Sequence, residues 1–489
     1  MATDSPSTTS PSTPSPSTIS PSTTQVIRQA SIVGLDLGLD LGLDLGLARE
    51  SGLEDAASDE RVNVEGTADV LIKAGRIEAI APTLTDLPAD TQIINGRGQF
   101  LGPGLIDLYS QSGQPGHESR ETYESLSRAA AAGGFTRVGL LPNTEPAVDS
   151  ASVMAAIQRA NSATRVSSAA LAAHSAAPEN RSQLLPWATI TLGAQGKQLT
   201  ELAELAAAGA LGFTDGEPIV NRVLLRRLLE YMQPLKKPVA LWPCDPNLAE
   251  AGVVREGPQA LRLGLPGVSA IAETTALATL LECIAEIPAW VHVMRISTAR
   301  GVALLRQAKA QGLPVSASVP WHHLVFDTQD LEGYDPSLRH SPPLGNPADR
   351  QALIAGVADG VIDAIAIDHS PYTYEEKTVA FDTAPPGAIG LELALPVLWQ
   401  TFVSGAQSDT RLSPAQLWQA LSAGPAQCLG LTPPRLAVGS PAELVLFDPN
   451  AEWSVLPENL RSLSSNTPWL NQTIKGKVSH IWTPTFLAD

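Results

Sequence analysis

Apolar and polar positions in residues 104–432 follow one recurring pattern, a helical stretch that ends at glycine and leads into a short apolar run. It recurs at 120–132 before 135–140, at 199–208 before 210–213, at 299–311 before 314–319 and at 349–359 before 361–367. Glycine after the last helical turn favours the left-handed cap conformation. Helices that alternate with buried strands predict a parallel sheet. Because no GxGxxG motif opens a helix after the first strand, the pattern favours an α/β fold of the TIM (β/α)8 barrel type over a doubly wound sheet.

The segments on either side of the barrel have the shorter period of β-strands. In 62–103, residues 68–73 and 76–80 read as two strands joined at Gly75. In 433–489, apolar alternation returns at 442–447 and 476–482. Strands before and after a barrel can pair, so we expect a small β-sandwich domain built from 62–103 and 433–489.

The N-terminal residues predict less structure. Residues 1–24 are almost entirely Ser, Thr and Pro after the first few positions, a composition that predicts a disordered tail. We interpret 25–61 as an insertion that carries the repeat Gly-Leu-Asp-Leu at 34–37, 38–41 and 42–45. Each repeat unit offers one carboxylate, which favours a surface hairpin or loop over a calcium-binding repeat.

Charge and cysteine content exclude several classes of protein. A net charge of −18 argues against binding to nucleic acid or to an anionic membrane surface. The cysteines, Cys244, Cys283 and Cys428, form no CxxC pair, which is typical of a reducing compartment and argues against a thiolate zinc site. No run of about 20 apolar residues is present, so no membrane span is expected. We therefore predict a cytoplasmic protein and leave open whether it forms a homo-oligomer.

The first predicted barrel strand carries the most informative motif. Residues 104–116 read GLIDLYSQSGQPG, which resembles the PGLIDxHxHxRxPG of the cyclic amidohydrolases, dihydroorotase above all. Against that pattern, Tyr109 and Gln111 stand where the family has metal-binding histidines, and Gly113 stands where it has a substrate-binding arginine. The resemblance implies a hydrolase fold whose first metal ligands have been replaced.

The resemblance continues through the barrel. Residues 129–149 resemble AAAxGGxTxVxxMPNTxPxxD, and Asn143 matches the asparagine that contacts the cyclic substrate, although an asparagine beside a proline is by itself more typical of a turn. Residues 384–392 resemble APxGxxGLE, where Pro386 and Gly387 match the backbone that meets the substrate carboxylate. Asp368 matches the aspartate that binds metal and acts as general base. These motifs are specific to the dihydroorotase branch.

The resemblance implies six metal-ligand positions, four of them changed. Asp215 and Asp368 are retained, while the replaced positions are Tyr109, Gln111, Trp242 and Arg295. Asp215 is equally typical of an Asp-Gly turn. Tyr, Gln and Trp are poor zinc ligands, and an arginine repels a divalent cation. We therefore predict no metal and no other cofactor, with zinc only if an altered site is still active.

Two further family positions are informative. The substrate-binding histidine of the DHAPH pattern is Tyr372. The family's TPHHL motif resembles 319–324, which contains His322 and His323. Because adjacent residues of a strand face opposite sides, we expect these histidines to be structural and not a metal-binding pair.

Three hypotheses of function follow from the resemblance. The first is a non-catalytic dihydroorotase-like protein of the de novo pyrimidine (UMP) biosynthesis family, for which the family implies a role as scaffold for aspartate carbamoyltransferase. The second is an active hydrolase of cyclic amides with an altered site, converting dihydroorotate and water to N-carbamoyl-aspartate. The third is a metal-independent module that binds a cyclic ureide or dihydroorotate, using Arg295 and the position of the family's carboxylate site.

Overall fold

The computed structural model describes residues 24–33, 66–172, 181–405 and 412–483. The predicted tail, except for its last residue, and all three copies of the Gly-Leu-Asp-Leu repeat lie outside the described residues. Within the described part, no helix is long and apolar enough to cross a membrane.

A small domain is built from both ends of the chain. Its strands are β1 (Gln25–Ile32), β2 (Thr67–Lys73), β3 (Arg76–Ala81), β4 (Gln92–Asn95), β5 (Phe100–Pro103), β15 (Leu444–Ser454) and β16 (Thr473–Trp482). They form one hydrogen-bonded sheet in the order β16-β15-β5-β1-β2-β3, with β4 also paired to β1. The antiparallel pair of β5 and β15 joins the N-terminal and C-terminal strands, as the sequence predicts.

The domain begins earlier than the sequence predicts. The prediction that 25–61 is wholly an insertion is wrong at its start, because β1 lies inside the sheet between β2 and β5. Val26, Ile27 and Ala30 are fully buried. A register shift between Ile27 and Ala30, where Gln29 has a φ of 54°, breaks the strict alternation that marks a strand in sequence.

The central domain is a barrel of parallel strands, which confirms the predicted fold. Its strands are β6 (Leu105–Ser110), β7 (Phe135–Leu140), β8 (Gln183–Pro186), β9 (Val239–Leu241), β12 (Val291–Val293), β13 (Val315–Pro320) and β14 (Ala364–Ala366). The eighth position is filled by residues 211–214, where Phe213 bridges to Ala188 on one side and to Val239 on the other. The barrel closes where the Gln111 N–H donates to the His369 carbonyl over 2.8 Å. The two-residue strands β10 (Val254–Arg255) and β11 (Gly267–Val268) pair outside the barrel.

The helices pack outside the barrel strands and in the loops at their ends. They are α1 (Tyr123–Ala132), α2 (Ala151–Ala172), α3 (Leu202–Ala207), α4 (Arg222–Leu235), α5 (Pro246–Ala249), α6 (Pro258–Leu263), α7 (Ile271–Glu286), α8 (Ala299–Ala310), α9 (His322–Val325), α10 (Pro347–Ala358), α11 (Tyr374–Lys377), α12 (Ala394–Trp399), α13 (Pro414–Leu421) and α14 (Ala423–Leu429). Helix α1 begins three residues later than the 120–132 prediction, because Thr122 and Ser125 form a capping box there. After it, Gly134 turns the chain into β7 with a φ of 88°.

Candidate functional site

The carboxyl ends of the barrel strands meet around one buried ion pair. Arg295 follows β12 and Asp368 follows β14. The Arg295 Nε and Nη2 donate to the two oxygens of Asp368, each over 2.8 Å. The remaining terminal nitrogen, Nη1, donates to the Gly216 carbonyl over 2.9 Å. Arg295 is 6% exposed, so this fork-to-fork pair is almost removed from water. Burial alone lowers the pKa of the Arg295 guanidinium. The Asp368 carboxylate has the larger, opposite effect and holds that pKa above its usual value.

Two residues at positions where the family pattern has metal ligands enclose the guanidinium. The Trp242 ring centroid lies 5.0 Å from the Arg295 Cζ, and the Tyr109 ring centroid lies 5.8 Å away. Both distances suit a cation–π contact, which is stronger in a desolvated site. The Tyr109 hydroxyl also accepts the Arg295 backbone N–H over 3.2 Å. Tyr109, Trp242 and Arg295 therefore act as one group around Asp368, whereas the side chain of Gln111 makes no hydrogen bond found in the described residues.

The backbone at both members of the ion pair is in the left-handed region. Arg295 has a φ of 55° and Asp368 a φ of 50°. Such a conformation costs on the order of 1–3 kcal/mol in a residue other than glycine, and it persists only where the surroundings enforce it. Here the bidentate pair and the Gly216 carbonyl fix both side chains, so the strained strand ends are kept.

The other retained carboxylate serves a different purpose. Asp215 accepts the backbone N–H groups of Ile190 and Thr191 over 2.8 and 2.9 Å and the Thr191 hydroxyl over 2.6 Å. Burial raises its pKa, and these three hydrogen bonds oppose the rise. Asp215 thus joins the loop after β8 to the loop after Phe213.

The residues at the strand ends do not fit a metal centre. Asp368 is occupied by a guanidinium, which cannot give up its proton, and Asp215 is satisfied by the Ile190–Thr191 loop. Across the residues that the structure describes, no three His, Cys, Asp or Glu side chains are grouped so that they could hold a metal ion.

A chain of hydrogen bonds that the sequence did not predict lies under the site. The Tyr109 hydroxyl is 2.9 Å from the Ser318 Oγ, which is also 2.9 Å from the His292 Nε2. The His292 Nδ1 is 2.9 Å from the Ser316 Oγ. Burial lowers the pKa of His292 to about 3, so the ring is neutral. Ser316 and Ser318 are two apart on β13, and that spacing of polar residues was the available signal for an inward-facing polar row.

Asp107 is a further buried carboxylate that the motif alone did not single out. It is fully buried on β6 and accepts the Ser110 hydroxyl over 2.6 Å and the Ile367 N–H over 2.8 Å. Burial raises its pKa to about 7, although both hydrogen bonds oppose the rise. Asp107 therefore connects the first barrel strand to the last.

Of the positions predicted to bind substrate, Asn143 lies near a residue that contacts the ion pair, whereas the polar backbone groups of Gly387 are used within the chain. Asn143 lies next to Gly216, whose carbonyl meets Arg295. The Gly387 N–H donates to the Arg339 carbonyl over 2.7 Å, and the Gly387 carbonyl accepts from Lys377. Pro386 has no N–H to offer. The loop that resembles a carboxylate-binding loop therefore has no free backbone donor at these two residues.

At Gly113, where the family pattern has an arginine, there is no room for a side chain. A Cβ atom at Gly113 would lie 2.2 Å from the His117 carbonyl oxygen and 2.6 Å from that of Glu121. The turn that follows β6 places these two carbonyl groups directly against the backbone of Gly113. Tyr372, at the histidine position, instead packs its ring 5.0 Å from the Arg120 Cζ and 5.5 Å from the Lys377 Nζ.

The expectation that His322 and His323 lie on a strand is wrong. Both are on the short helix α9, which begins two residues after β13 ends at Pro320, and both are buried. Because the chain turns at Trp321 and is helical from His322, strand alternation does not apply to the pair.

The barrel has parallel strands with carboxylates at their carboxyl ends, and the sheet domain is made by N-terminal and C-terminal strands. Together these features define an amidohydrolase-type protein. The model of the Dihydro-orotase-like family matches residues 98–299, and that of the Amidohydrolase family matches 276–482. The chain is 44% identical to a probable dihydroorotase-like protein of Synechocystis, over 85% of this chain and 95% of that protein. It is 35% identical to a dihydroorotase of Anaeromyxobacter, over 86% and 93%. The chain belongs to the dihydroorotase-like family of amidohydrolases.

Solved structures show the same architecture at lower sequence identity. The L-hydantoinase of Arthrobacter aurescens superposes with a TM-score of 0.73 at 20% identity, covering 95% of this chain and 97% of that one. The dihydropyrimidinase of Brevibacillus agri gives a TM-score of 0.72 at 19% identity, covering 94% of each. At this identity the likeness establishes the fold.

Proposed function

We propose that this chain is a dihydroorotase-like protein without hydrolase activity, whose barrel serves as a structural partner for aspartate carbamoyltransferase in pyrimidine synthesis. The observation that carries the loss of activity is the bidentate pair of Arg295 and Asp368. A metal at this place needs a free carboxylate and uncharged donors, whereas the chain supplies a permanent cation. Asp368 cannot serve as general base while both of its oxygens accept from Arg295.

The loss of activity is tested by metal analysis of the purified full-length protein together with a dihydroorotate hydrolysis assay. We expect zinc far below one equivalent and no turnover above the uncatalysed rate. The matched variant restores imidazoles at all four changed positions, Y109H, Q111H, W242H and R295H together. Stoichiometric zinc and turnover in the unaltered protein would refute the proposal, whatever the variant does.

The partner role rests on the family resemblance and on the intact fold around a site that does not fit a metal. It is tested by co-expression with the aspartate carbamoyltransferase of the same organism, with size-exclusion chromatography and thermal melts of each protein alone and of the mixture. We expect co-elution and a higher melting temperature for the transferase in the mixture. Separate elution with an unchanged transferase melt contradicts the partner role and leaves the inactive site unaffected.

A second candidate is an active hydrolase with an altered site. It is supported by relatives 35% identical that carry the name dihydroorotase, and by the position of Asn143 beside Gly216, whose carbonyl accepts from Arg295. In that case Arg295 would have to polarise the substrate in place of a metal. The R295K variant separates the two candidates, since it changes turnover only if there is turnover to change.

A further inference from the structure

A second buried polar group lies beneath the loops at the mouth of the barrel, apart from Arg295 and Asp368. It consists of His322, His323 and His340, here called the histidine cluster, beside the ammonium of Lys377. None of the four is more than 8% exposed. The ring centroids of His322 and His340 are 4.3 Å apart, and those of His323 and His340 are 6.0 Å apart. We propose that the histidine cluster and Lys377 form an acid-sensitive latch that holds two mouth loops in place at neutral pH and releases them on acidification.

Lys377 makes the hydrogen bonds that join the two loops. Its Nζ donates three hydrogen bonds of 2.8 Å each, to the carbonyls of Pro336, Pro385 and Gly387. Pro336 is on the loop that precedes His340, and the other two are on the loop that resembles the carboxylate-binding loop of the family. One ammonium group therefore joins two segments that are about fifty residues apart in sequence.

One buried ring nitrogen of each histidine in the cluster has no hydrogen-bond partner in the described residues. The His323 Nε2 is 3.1 Å from the Pro342 carbonyl, and because a carbonyl only accepts, Nε2 carries the proton and Nδ1 is bare. The buried His323 Nδ1 has no partner in the described residues, nor do the buried Nε2 atoms of His322 and His340. A newly protonated ring would therefore bury an unsatisfied N–H donor together with its charge.

The charges around the cluster also oppose protonation. The groups that face it are Lys377 and His369 toward His322, Lys377 toward His340, Arg255 and Arg295 toward His323, and Arg339 and Asp335 toward Lys377. Glu121 lies behind His369, 3.4 Å from its Nε2, and already accepts from the Ser462 hydroxyl and the Leu463 N–H. Cations therefore outnumber the carboxylates that could balance a charged imidazole.

The sign of the pH effect follows from this arrangement. Burial, before the neighbouring charges, lowers the pKa of His323 to about 4 and those of His322 and His340 well below their ordinary value. An opened loop exposes the rings, whose pKa then returns to about 6.5. Opening takes up protons at the histidines below pH 6.5, whereas proton uptake at Lys377, whose pKa burial lowers to about 7, falls mainly above pH 7. The closed state therefore loses stability through the histidines as the pH falls from about 6.5 toward 4.

The test is amide hydrogen exchange by mass spectrometry on the full chain between pH 7 and 5, corrected for the intrinsic exchange rate. Peptides covering 334–346 and 383–390 should lose protection by up to about tenfold per pH unit for each histidine that titrates, while peptides of the barrel strands stay protected. H340Q should reduce that slope. H117Q is the matched control, because His117 is an exposed residue outside the cluster and its loss should leave the slope unchanged.

Two results would overturn the latch. One is protection of the two loops that stays flat from pH 7 to 5. The other is a loss that spreads equally over the barrel strands, since that is global unfolding. If H340Q fails to fold, the profile of the unaltered protein still decides between these outcomes. The latch uses neither a metal nor a partner protein, so its failure is separate from failure of the proposed function.

Discussion

Replacement of Arg295 by methionine is the most direct perturbation of the site. Methionine keeps an unbranched apolar stem against Trp242 but leaves Asp368 without its two donors and the Gly216 carbonyl without its own. The side chain of Asp368 is only 13% exposed, so water cannot fully replace the guanidinium. Removal of one partner from a buried ion pair costs about 3–5 kcal/mol.

The expected melting shift follows from the size of the chain. With an unfolding entropy of about 2.1 cal/mol/K per residue, 489 residues give roughly 1 kcal/mol per kelvin. R295M should therefore lower Tm by about 3–5 °C in a thermal melt at pH 7. D368N in the R295M background removes the stranded charge and should recover part of the loss. If R295M melts like the unaltered protein, or if the two substitutions are simply additive, Arg295 does not hold Asp368 as described.

Three other outcomes follow from the same contacts. Burial raises the pKa of Asp107 in the folded state to about 7, above its unfolded value, so between about pH 4 and 7 the folded state binds one more proton than the unfolded state. Asp107 therefore makes the protein less stable as the pH rises through that window. D107N should remove this fall, which is measured by comparing the pH profiles of Tm for the two proteins. G113A should destabilise by about 1–3 kcal/mol because its Cβ meets the His117 carbonyl, whereas G333A, with open space around it, should be near neutral in denaturant titrations. Addition of EDTA should leave Tm unchanged, and a drop of several degrees would indicate a bound structural metal.

The sequence predicted the barrel well because the pattern of helix, glycine and apolar strand that marks a barrel is local. Each helix, glycine cap and apolar run is read within a few residues, as at Tyr123–Ala132 before Phe135–Leu140. Strand β1 was not predicted because its bulge at Gln29 interrupts the alternation of apolar and polar residues. Its partner strands also lie much later in the sequence. Local patterns carry no information about such pairings.

The site was harder to predict for the same reason. The sequence identified Tyr109, Trp242, Arg295 and Asp368 as altered or retained positions, but each was judged singly against a family pattern. Nothing in that comparison indicates that Arg295 reaches Asp368, 73 residues away, or that Asp215 turns to the loop after β8. These contacts depend on which strand ends face one another and on the rotamers that fit there.

The residues that surround Asp368 suit one another electrostatically. A buried carboxylate at the position of Asp368 is costly unless a cation meets both of its oxygens. A metal can fill that role, and so can a guanidinium, whose planar fork matches the two carboxylate oxygens. Aromatic rings at 109 and 242 then suit the new cation better than imidazoles would, because they offer π faces and no competing proton. Arg295, the two aromatic rings and Asp368 therefore stabilise one another, which explains how the strained strand ends at Arg295 and Asp368 persist.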